Sequence, residues 1–268
     1  MTASLIIITD LDGTLLHPKT YSFAEAQPAL HLVQERGIPL ILCSSKTRAE
    51  LEVCRDRLRN QHPFISENGG GIFIPEGYFP FPVEGEKCNG YRVISLGLPY
   101  ADIRAHFARI RNELGINATG FGDMTPDEVA ALTGLTRDEA VLAQRRDFGE
   151  PFFFNGGYDE RLLQAIEAAG LRWTQGRFFH IMGKHHKGAA AHILRSLFER
   201  SLGSVSMIGL GDSLNDLPFL LEVDTPVLIR REDGSHDPRI NIPGLYLTNK
   251  AGPAGWNEAV LKLLGTDT

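Results

Sequence analysis

Asp10 and Asp12 stand one residue apart in the stretch TDLDGTLL, behind the apolar run of residues 5–8 and ahead of Gly13. Such a run reads as a buried parallel strand, and placing carboxylates beside it is costly. Alternation along a strand sends both acids to one side of the chain, with Leu11 opposite, and Gly13 permits a sharp turn that lifts them to the rim of the sheet. Two carboxylates 4 Å apart repel by about 4 kcal/mol at an effective dielectric near 20. They need a cation between them, or one of them holds a proton. For this stretch taken alone, an Asp-rich turn closing a strand is the plainer alternative.

A second acidic stretch, GLGDSLNDLPFL, puts Asp212, Asn215 and Asp216 behind another apolar run. Its plainer reading is a helix N-terminus, with Asp212 as cap and Asp216 favoured by the dipole. If both stretches end strands of one parallel sheet, they meet at its C-terminal rim. Oxygen acids converging without His or Cys make a hard-cation site, which suits Mg2+ keeping waters and a substrate phosphate as its other ligands; Ca2+ is the competing ion. Ser44 and Ser45 follow the apolar run 38–43 and offer hydroxyls and backbone N–H groups to phosphate oxygens. Lys187, directly ahead of Gly188 and an alanine-rich helix, supplies a cation, and Lys184 is its rival.

The elements that must carry these residues alternate along the chain. Strands are expected at 5–8, 38–43 and 64–66, the last continued by 72–74, with helices at 23–35 and 48–58. That rhythm predicts an α/β fold, a doubly wound parallel-sheet (Rossmann-like) core whose ligands gather beyond the strand ends. Composition shifts at FPVEGEKCNG, which reads as a linker. The mixed segment beyond it holds helices near 101–114, 137–144 and 160–169 and strands at EPFFFNGG, 150–157, and near 172–182. It reads as an inserted α+β unit over 84–180. The core is then 1–83 and 181–268, resuming with a helix at 188–200, strands at 205–210 and 225–229, and helices at 216–223 and 255–264.

Composition narrows the partners. The 268 residues carry a net charge of −6, which leaves no basic excess to displace counterions from nucleic acid. The apolar run near the N-terminus is too short for a membrane span or a signal peptide. Three cysteines without metal-like spacing suggest neither a disulfide framework nor a zinc site. A cytoplasmic protein acting on a small molecule is expected.

In order, DLDGT at 10–14, Ser44, Lys187 and GDSLND at 211–216 resemble the signature of the haloacid dehalogenase-like phosphatases. The long insert between the second and third pieces places the chain among their sugar-phosphatase branch, where the insert serves as a cap. SSKTRAELE, ENGGGIFIP, GYRVISLGLPY, GFGDMT, VAALTGL and RRDFGEPF further resemble the mannosyl-3-phosphoglycerate phosphatase family across most of the chain. Two stretches depart from that family's pattern. TQGRFFH lacks one glycine of a Gly-Gly-Arg-Phe-like turn, and HHKG has His186 where the family has an acid.

The resemblance implies a Mg2+-dependent phosphatase acting on mannosyl-3-phosphoglycerate, or on its glucosyl counterpart. It gives Asp10 as the nucleophile that forms an aspartyl-phosphate, and Asp12 as the acid and then the base. Mg2+ would be held by Asp10, the Asp12 carbonyl and Asp212, with Asn215 and Asp216 in support; Ser44 and Lys187 would bind the phosphoryl oxygens. The leaving group carries a carboxylate and a sugar, so Ser45, Lys46, Asn68, Gly69, Gly70, Arg146, Glu150 and His180 are candidates for binding it. Arg146 is the expected carboxylate clamp, since a guanidinium binds carboxylates bidentately. Two other readings stand beside this one: the same chemistry on another sugar phosphate, and a receiver-type module that holds a phosphoryl group as a signal.

Overall fold

Ile6, Ile7 and Ile8 have no exposed surface; the pleat sends Ile7 into one hydrophobic layer and its two neighbours into another on the opposite face. The computed structural model describes residues 3–265, so the extreme ends of the expected core, 1–2 and 266–268, lie outside the described residues. The chain runs β1 (Ser4–Thr9), α1 (Gln27–Glu35), β2 (Leu40–Cys43), α2 (Arg48–Leu58), β3 (Phe64–Ser66), β4 (Gly71–Pro75), β5 (Glu86–Cys88) and β6 (Tyr91–Ser95). An insert follows: α3 (Tyr100–Leu114), β7 (Ala118–Gly120), α4 (Pro126–Thr133), α5 (Arg137–Ala143), β8 (Gly149–Phe154), α6 (Glu160–Ala168), β9 (Arg172–Gln175) and β10 (Phe179–Met182). The core resumes with α7 (Lys187–Leu202), β11 (Val205–Gly211), α8 (Leu217–Leu220), β12 (Thr225–Arg230), β13 (Tyr246–Ala251) and α9 (Gly252–Leu263).

The large sheet has the order β13-β12-β11-β1-β2-β3-β4-β6-β5. Its strands are parallel from β13 to β3 and antiparallel from β3 to β5. Leu30, Val33, Trp256 and Val260 cover one face, and Ala190, Leu194, Phe198 and Phe219 the other, which is a doubly wound α/β core. The insert builds an antiparallel sheet, β7-β8-β10-β9. One face of it is packed by Ile103, Phe107, Leu162 and Ile166 from α3 and α6. Capping boxes at Thr47–Glu50, Thr125–Glu128 and Thr136–Glu139 start α2, α4 and α5.

Three expectations need correction. Residues 72–74 do not extend β3: the chain reverses at Glu67, Asn68 and Gly69, whose φ values of 47°, 57° and 96° are all left-handed, and β4 returns antiparallel. Residues 86–95, expected within the insert, form β5 and β6 of the large sheet because β6 pairs along β4; the insert's own sheet begins only at β7. The helix expected over 216–223 is a 3-10 turn, Leu214–Asp216, followed by the single turn of α8. β13 carries no strand signal in the sequence, since as an edge strand it buries only Thr248 and shows no apolar alternation. Among the described residues, no helix is long and apolar enough to cross a membrane.

Candidate active site

β1, β2 and β11 are neighbours, so the loops behind their C-terminal ends share one rim. Asp10 leaves β1 with its N–H donating to the Leu210 carbonyl of β11 at 2.9 Å. Gly13 then turns with φ 85°, and a Cβ there would stand 2.9 Å from Asp212 Oδ2. Glycine is therefore needed twice over, for the turn and for the closeness of the two acidic loops.

Lys187, the first residue of α7, is fully buried at its side chain and lies 2.6 Å from both Asp10 Oδ1 and Asp216 Oδ1. The other oxygen of Asp216 accepts the N–H groups of Asp212 and Ser213 at 3.0 and 3.1 Å. One carboxylate thus fixes both the lysine and the second acidic loop. His186, which stands where the family has an acid, caps α7 by accepting the Ala189 N–H on Nδ1 at 3.2 Å, so the replacement keeps the cap. Gly188 lets α7 approach α8, since a Cβ there would meet the Pro218 carbonyl at 2.4 Å.

Carboxylate oxygens of Asp10, Asp212 and Asp216 lie within 4.8 Å of one another. Burial pushes Asp10 up to about 7 against the pull of Lys187, with Asp216 and Asp12 adding to the rise. Burial, then Asp216 and Asp10, raise Asp212 well above the ordinary carboxylate range. On Lys187 burial acts against the charge and is outweighed by Asp10 and Asp216, so the ammonium is held above its ordinary value. Three acids share one buried ammonium, and all their donors are hard oxygens. That set fits a divalent cation, whose charge would favour the ionised forms of Asp10 and Asp212.

Asp12 turns elsewhere. Its Oδ2 pairs with Lys46 Nζ at 2.9 Å, and its Oδ1 is buried with no hydrogen-bond partner. Lys46 also reaches Glu50 at 3.9 Å and lies 4.7 Å from the centre of the Tyr21 ring. The acidic trio therefore includes Asp216 and not the Asp12 carboxylate. Ser44 is buried; its carbonyl accepts the Asn68 N–H at 2.9 Å and its Oγ the Lys46 N–H at 3.3 Å. Asn215 receives the Ser213 hydroxyl at 2.6 Å and donates to Asn68 Oδ1 at 3.3 Å.

Between rim and insert lies a cavity of about 700 Å3, whose lining includes Asp10, Asp12, Ser45, Lys46, Asn68 and Asp212. His180 faces it too, and burial, with Arg146 and Lys187 nearby, pushes this histidine down to about 3. It presents a neutral imidazole.

Other expected binding residues do different work. Glu150 is fully buried and accepts from Tyr100 Oη, Arg104 Nη1 and the Gly122 N–H at 2.7, 2.8 and 2.8 Å; it holds the insert together and does not line the cavity. Gly69 and Gly70 are also off the lining. A Cβ on Gly69 would lie 2.4 Å from the His186 carbonyl, and one on Gly70 2.5 Å from Phe148 Cβ, so both serve close packing. Arg146 borders the cavity but is 8% exposed. It donates to the Gly149 and Ser45 carbonyls at 2.7 and 2.9 Å and pairs with Glu67 at 3.2 Å.

The sequence reading passed over a different cation. Arg177, in the TQGRFFH turn between β9 and β10, lines the cavity. Its guanidinium donates to the Thr133 and Leu132 carbonyls at 2.7 and 3.2 Å, so neutral acceptors fix it in place. The departure of that turn from the family pattern was the only signal in the sequence. Arg231 and Arg239, both bonded to buried Asp237 at 2.6 and 2.7 Å, line the cavity from the β12–β13 loop.

Residues 7–78 match the family model of the haloacid dehalogenase-like hydrolases. Over 264 residues, 97% of each chain, the protein is 45% identical to one from Methanococcoides burtonii named glucosyl-3-phosphoglycerate/mannosyl-3-phosphoglycerate phosphatase. It is 37% identical to the mannosyl-3-phosphoglycerate phosphatase of Pyrococcus horikoshii over 227 residues, 84% of this chain and 90% of the other. A solved haloalkanoate-superfamily phosphatase from Bacteroides thetaiotaomicron superposes with a TM-score of 0.68, covering 99% of this chain and 96% of that one at 17% identity, a likeness of fold. With near-complete coverage of such relatives, and its acidic loops gathered at one sheet rim, the chain belongs to the mannosyl-3-phosphoglycerate phosphatase family of haloacid dehalogenase-like hydrolases.

Proposed function

We propose that this phosphatase hydrolyses mannosyl- and glucosyl-3-phosphoglycerate to the glycosylglycerate and inorganic phosphate, with Mg2+ as its metal. The observation that carries the reading is Asp10 at the floor of the cavity, with one oxygen engaged by Lys187 and acids on either side. The other Asp10 oxygen attacks phosphorus, the bond from phosphorus to the glycerate oxygen breaks, and Asp12 gives that oxygen a proton. Water then attacks the aspartyl-phosphate, Asp12 takes its proton, and the bond from phosphorus to Asp10 breaks, which restores the carboxylate. Ser44, Ser45 and Lys187 hold the phosphoryl oxygens. Magnesium, held by Asp10, Asp212 and the Asp12 carbonyl with Asn215 and Asp216 behind them, would offset the charge of two anions brought together.

The insert acts as the cap that selects the leaving group. Arg146 is spent on Glu67 and two carbonyls, so Arg177 takes the glycerate carboxylate in its place. Lys46, Asn68 and His180 border the same space, while Arg231 and Arg239 offer donors to sugar hydroxyls. The partner is a small phosphorylated glycoside in the cytoplasm, not a nucleic acid.

The test is phosphate release, with Mg2+ present, from mannosyl- and glucosyl-3-phosphoglycerate, 3-phosphoglycerate and sucrose 6-phosphate. The two glycosylated glycerates should have the highest kcat/KM. Preference for sucrose 6-phosphate or for 3-phosphoglycerate would overturn the assignment.

A further inference from the structure

Glu67 is 1% exposed and has no part in the chemistry above, yet it ties together more of the site than any catalytic residue. Its Oε1 accepts the Asp147 N–H at 2.7 Å and its Oε2 the Phe148 N–H at 3.0 Å; Oε2 also pairs with Arg146 Nε at 3.2 Å. Its backbone N–H donates to the Lys46 carbonyl at 3.0 Å, and its carbonyl meets His185 Nε2 at 3.2 Å, two residues before Lys187. Glu67 and Asn68 adopt φ values of 47° and 57°, a region that residues with side chains enter rarely and keep when the surroundings impose it. Arg146 completes the circuit by donating from Nη2 to the Ser45 carbonyl.

From this we infer that Glu67 and Arg146 are positioning residues for the phosphate-binding turn. Arg146 reaches from the insert to the Ser44–Ser45 turn and holds it from behind, and Glu67 locks Arg146 and the strand entering β8 to the same point of the core. Phe148, next along, is seated among Gly70, Gly71 and Gly97, where an added Cβ would come within 2.5–2.7 Å of it. The insert is thereby pinned where the phosphoryl oxygens bind, and a shift of this strap moves the turn. The inference draws on the proposed function only for phosphate binding at Ser44–Ser45. It predicts that losing the strap harms every phosphate ester alike, the opposite of what a clamp on the leaving group would do.

The variants are Arg146→Lys and Glu67→Gln in the full-length protein. Lysine keeps the charge beside Glu67 but cannot reach the Gly149 and Ser45 carbonyls together, because it lacks the planar fork. The measurements are kcat and KM for p-nitrophenyl phosphate and for mannosyl-3-phosphoglycerate, the inhibition constant of inorganic phosphate, and Tm. A displacement near 1 Å costs about 100-fold, so we expect Arg146→Lys to lower kcat roughly 10- to 100-fold, by the same factor on both esters, and to weaken phosphate inhibition. Glu67→Gln should act in the same direction, and the double variant should be no worse than the weaker single, as for residues in one network. Loss on mannosyl-3-phosphoglycerate with p-nitrophenyl phosphate unchanged would make Arg146 a leaving-group contact and overturn the inference. So would a lower Tm with both activities and phosphate inhibition intact. Failure of the substrate assignment is a separate result, seen as wild-type enzyme that turns over p-nitrophenyl phosphate but not the glycosylated ester.

Discussion

Lys46 Nζ sits 2.9 Å from Asp12 Oδ2, and the other oxygen of Asp12 is buried without a partner. A buried polar atom left unsatisfied is costly, and here it belongs to a residue that borders the cavity. A turn of the side chain toward the cavity would let the oxygen of a departing alcohol satisfy it. Asp12→Ala should therefore lower kcat on mannosyl-3-phosphoglycerate by about 100- to 10,000-fold, the usual reach of general acid–base catalysis. p-Nitrophenolate leaves without a proton, so stopped-flow absorbance should instead show a burst of nearly one equivalent before turnover stalls. Absence of the burst with both steps equally slow would remove Asp12 from the acid role.

Asp10→Asn should lose at least about 1,000-fold in kcat, equivalent to roughly 4 kcal/mol, because an amide cannot form the acyl phosphate. The circular dichroism spectrum should not change. Residual activity within tenfold of wild type would end the covalent mechanism.

Chelation and pH should act together on stability. The folded value of Asp10, about 7, lies above its ordinary 3.8, so the metal-free folded state binds the extra proton, and this group's contribution to stability falls as pH rises from about 4 to 7. Asp212 shifts the same way. Half-buried His180 and buried His185 are shifted down and contribute the opposite slope. The informative quantity is thus the difference in Tm with and without Mg2+, in which the histidines cancel. That difference should grow between pH 5 and pH 8, and EDTA should abolish activity until Mg2+ is returned. A Tm increment independent of pH would place the ion away from Asp10.

Arg177→Ala should cost roughly 10- to 150-fold in kcat/KM on mannosyl-3-phosphoglycerate, the worth of one charge-assisted hydrogen bond. On p-nitrophenyl phosphate, which carries no carboxylate, the change should be small. Equal loss on both esters would argue that Arg177 acts by holding the α4 carbonyls in place.

Glu150→Ala should be a stability variant. Three donors lose their acceptor, and Arg104, whose side chain is 23% exposed, keeps Asp123. The expected cost is about 2–3 kcal/mol, seen as a fall of several degrees in Tm with kcat and KM nearly unchanged. A KM effect without a Tm effect would return Glu150 to the binding site.

The residues gathered at the sheet rim were legible because each closes an apolar run: Asp10 behind LIII, Ser44 behind LILC, and Asp212 behind MIGLG. In a parallel sheet that pattern alone places polar side chains on the ligand rim. The roles of Arg146 and Glu150 were not legible. Both are charged residues in the insert, and only the folded chain shows Glu67 waiting for one and Tyr100, Arg104 and Gly122 for the other. Lys46, in the turn between β2 and α2, pairs with Asp12, a contact set by how that turn faces the Gly13 turn and unmarked in the sequence. β5 and β6 were misplaced because a Gly- and Pro-rich stretch precedes them, and such composition marks a turn without saying on which side of it a domain ends.

The place of β1 in the large sheet bears on how the protein is made. Ile7 pairs with Leu40 on one side and with Ile208 on the other. During synthesis β1 can join β2 early, but its second edge stays open until the ribosome has made the whole insert and β11. At about 5–20 residues per second that wait is roughly 10–40 s. An apolar strand with one unpaired edge is exposed for that interval, which makes it a surface for chaperones and a point of self-association for stalled chains. A nascent fragment ending before Asp216 lacks the acid that holds Lys187 and the Asp212 loop, so the acidic rim is complete only in a chain nearly finished.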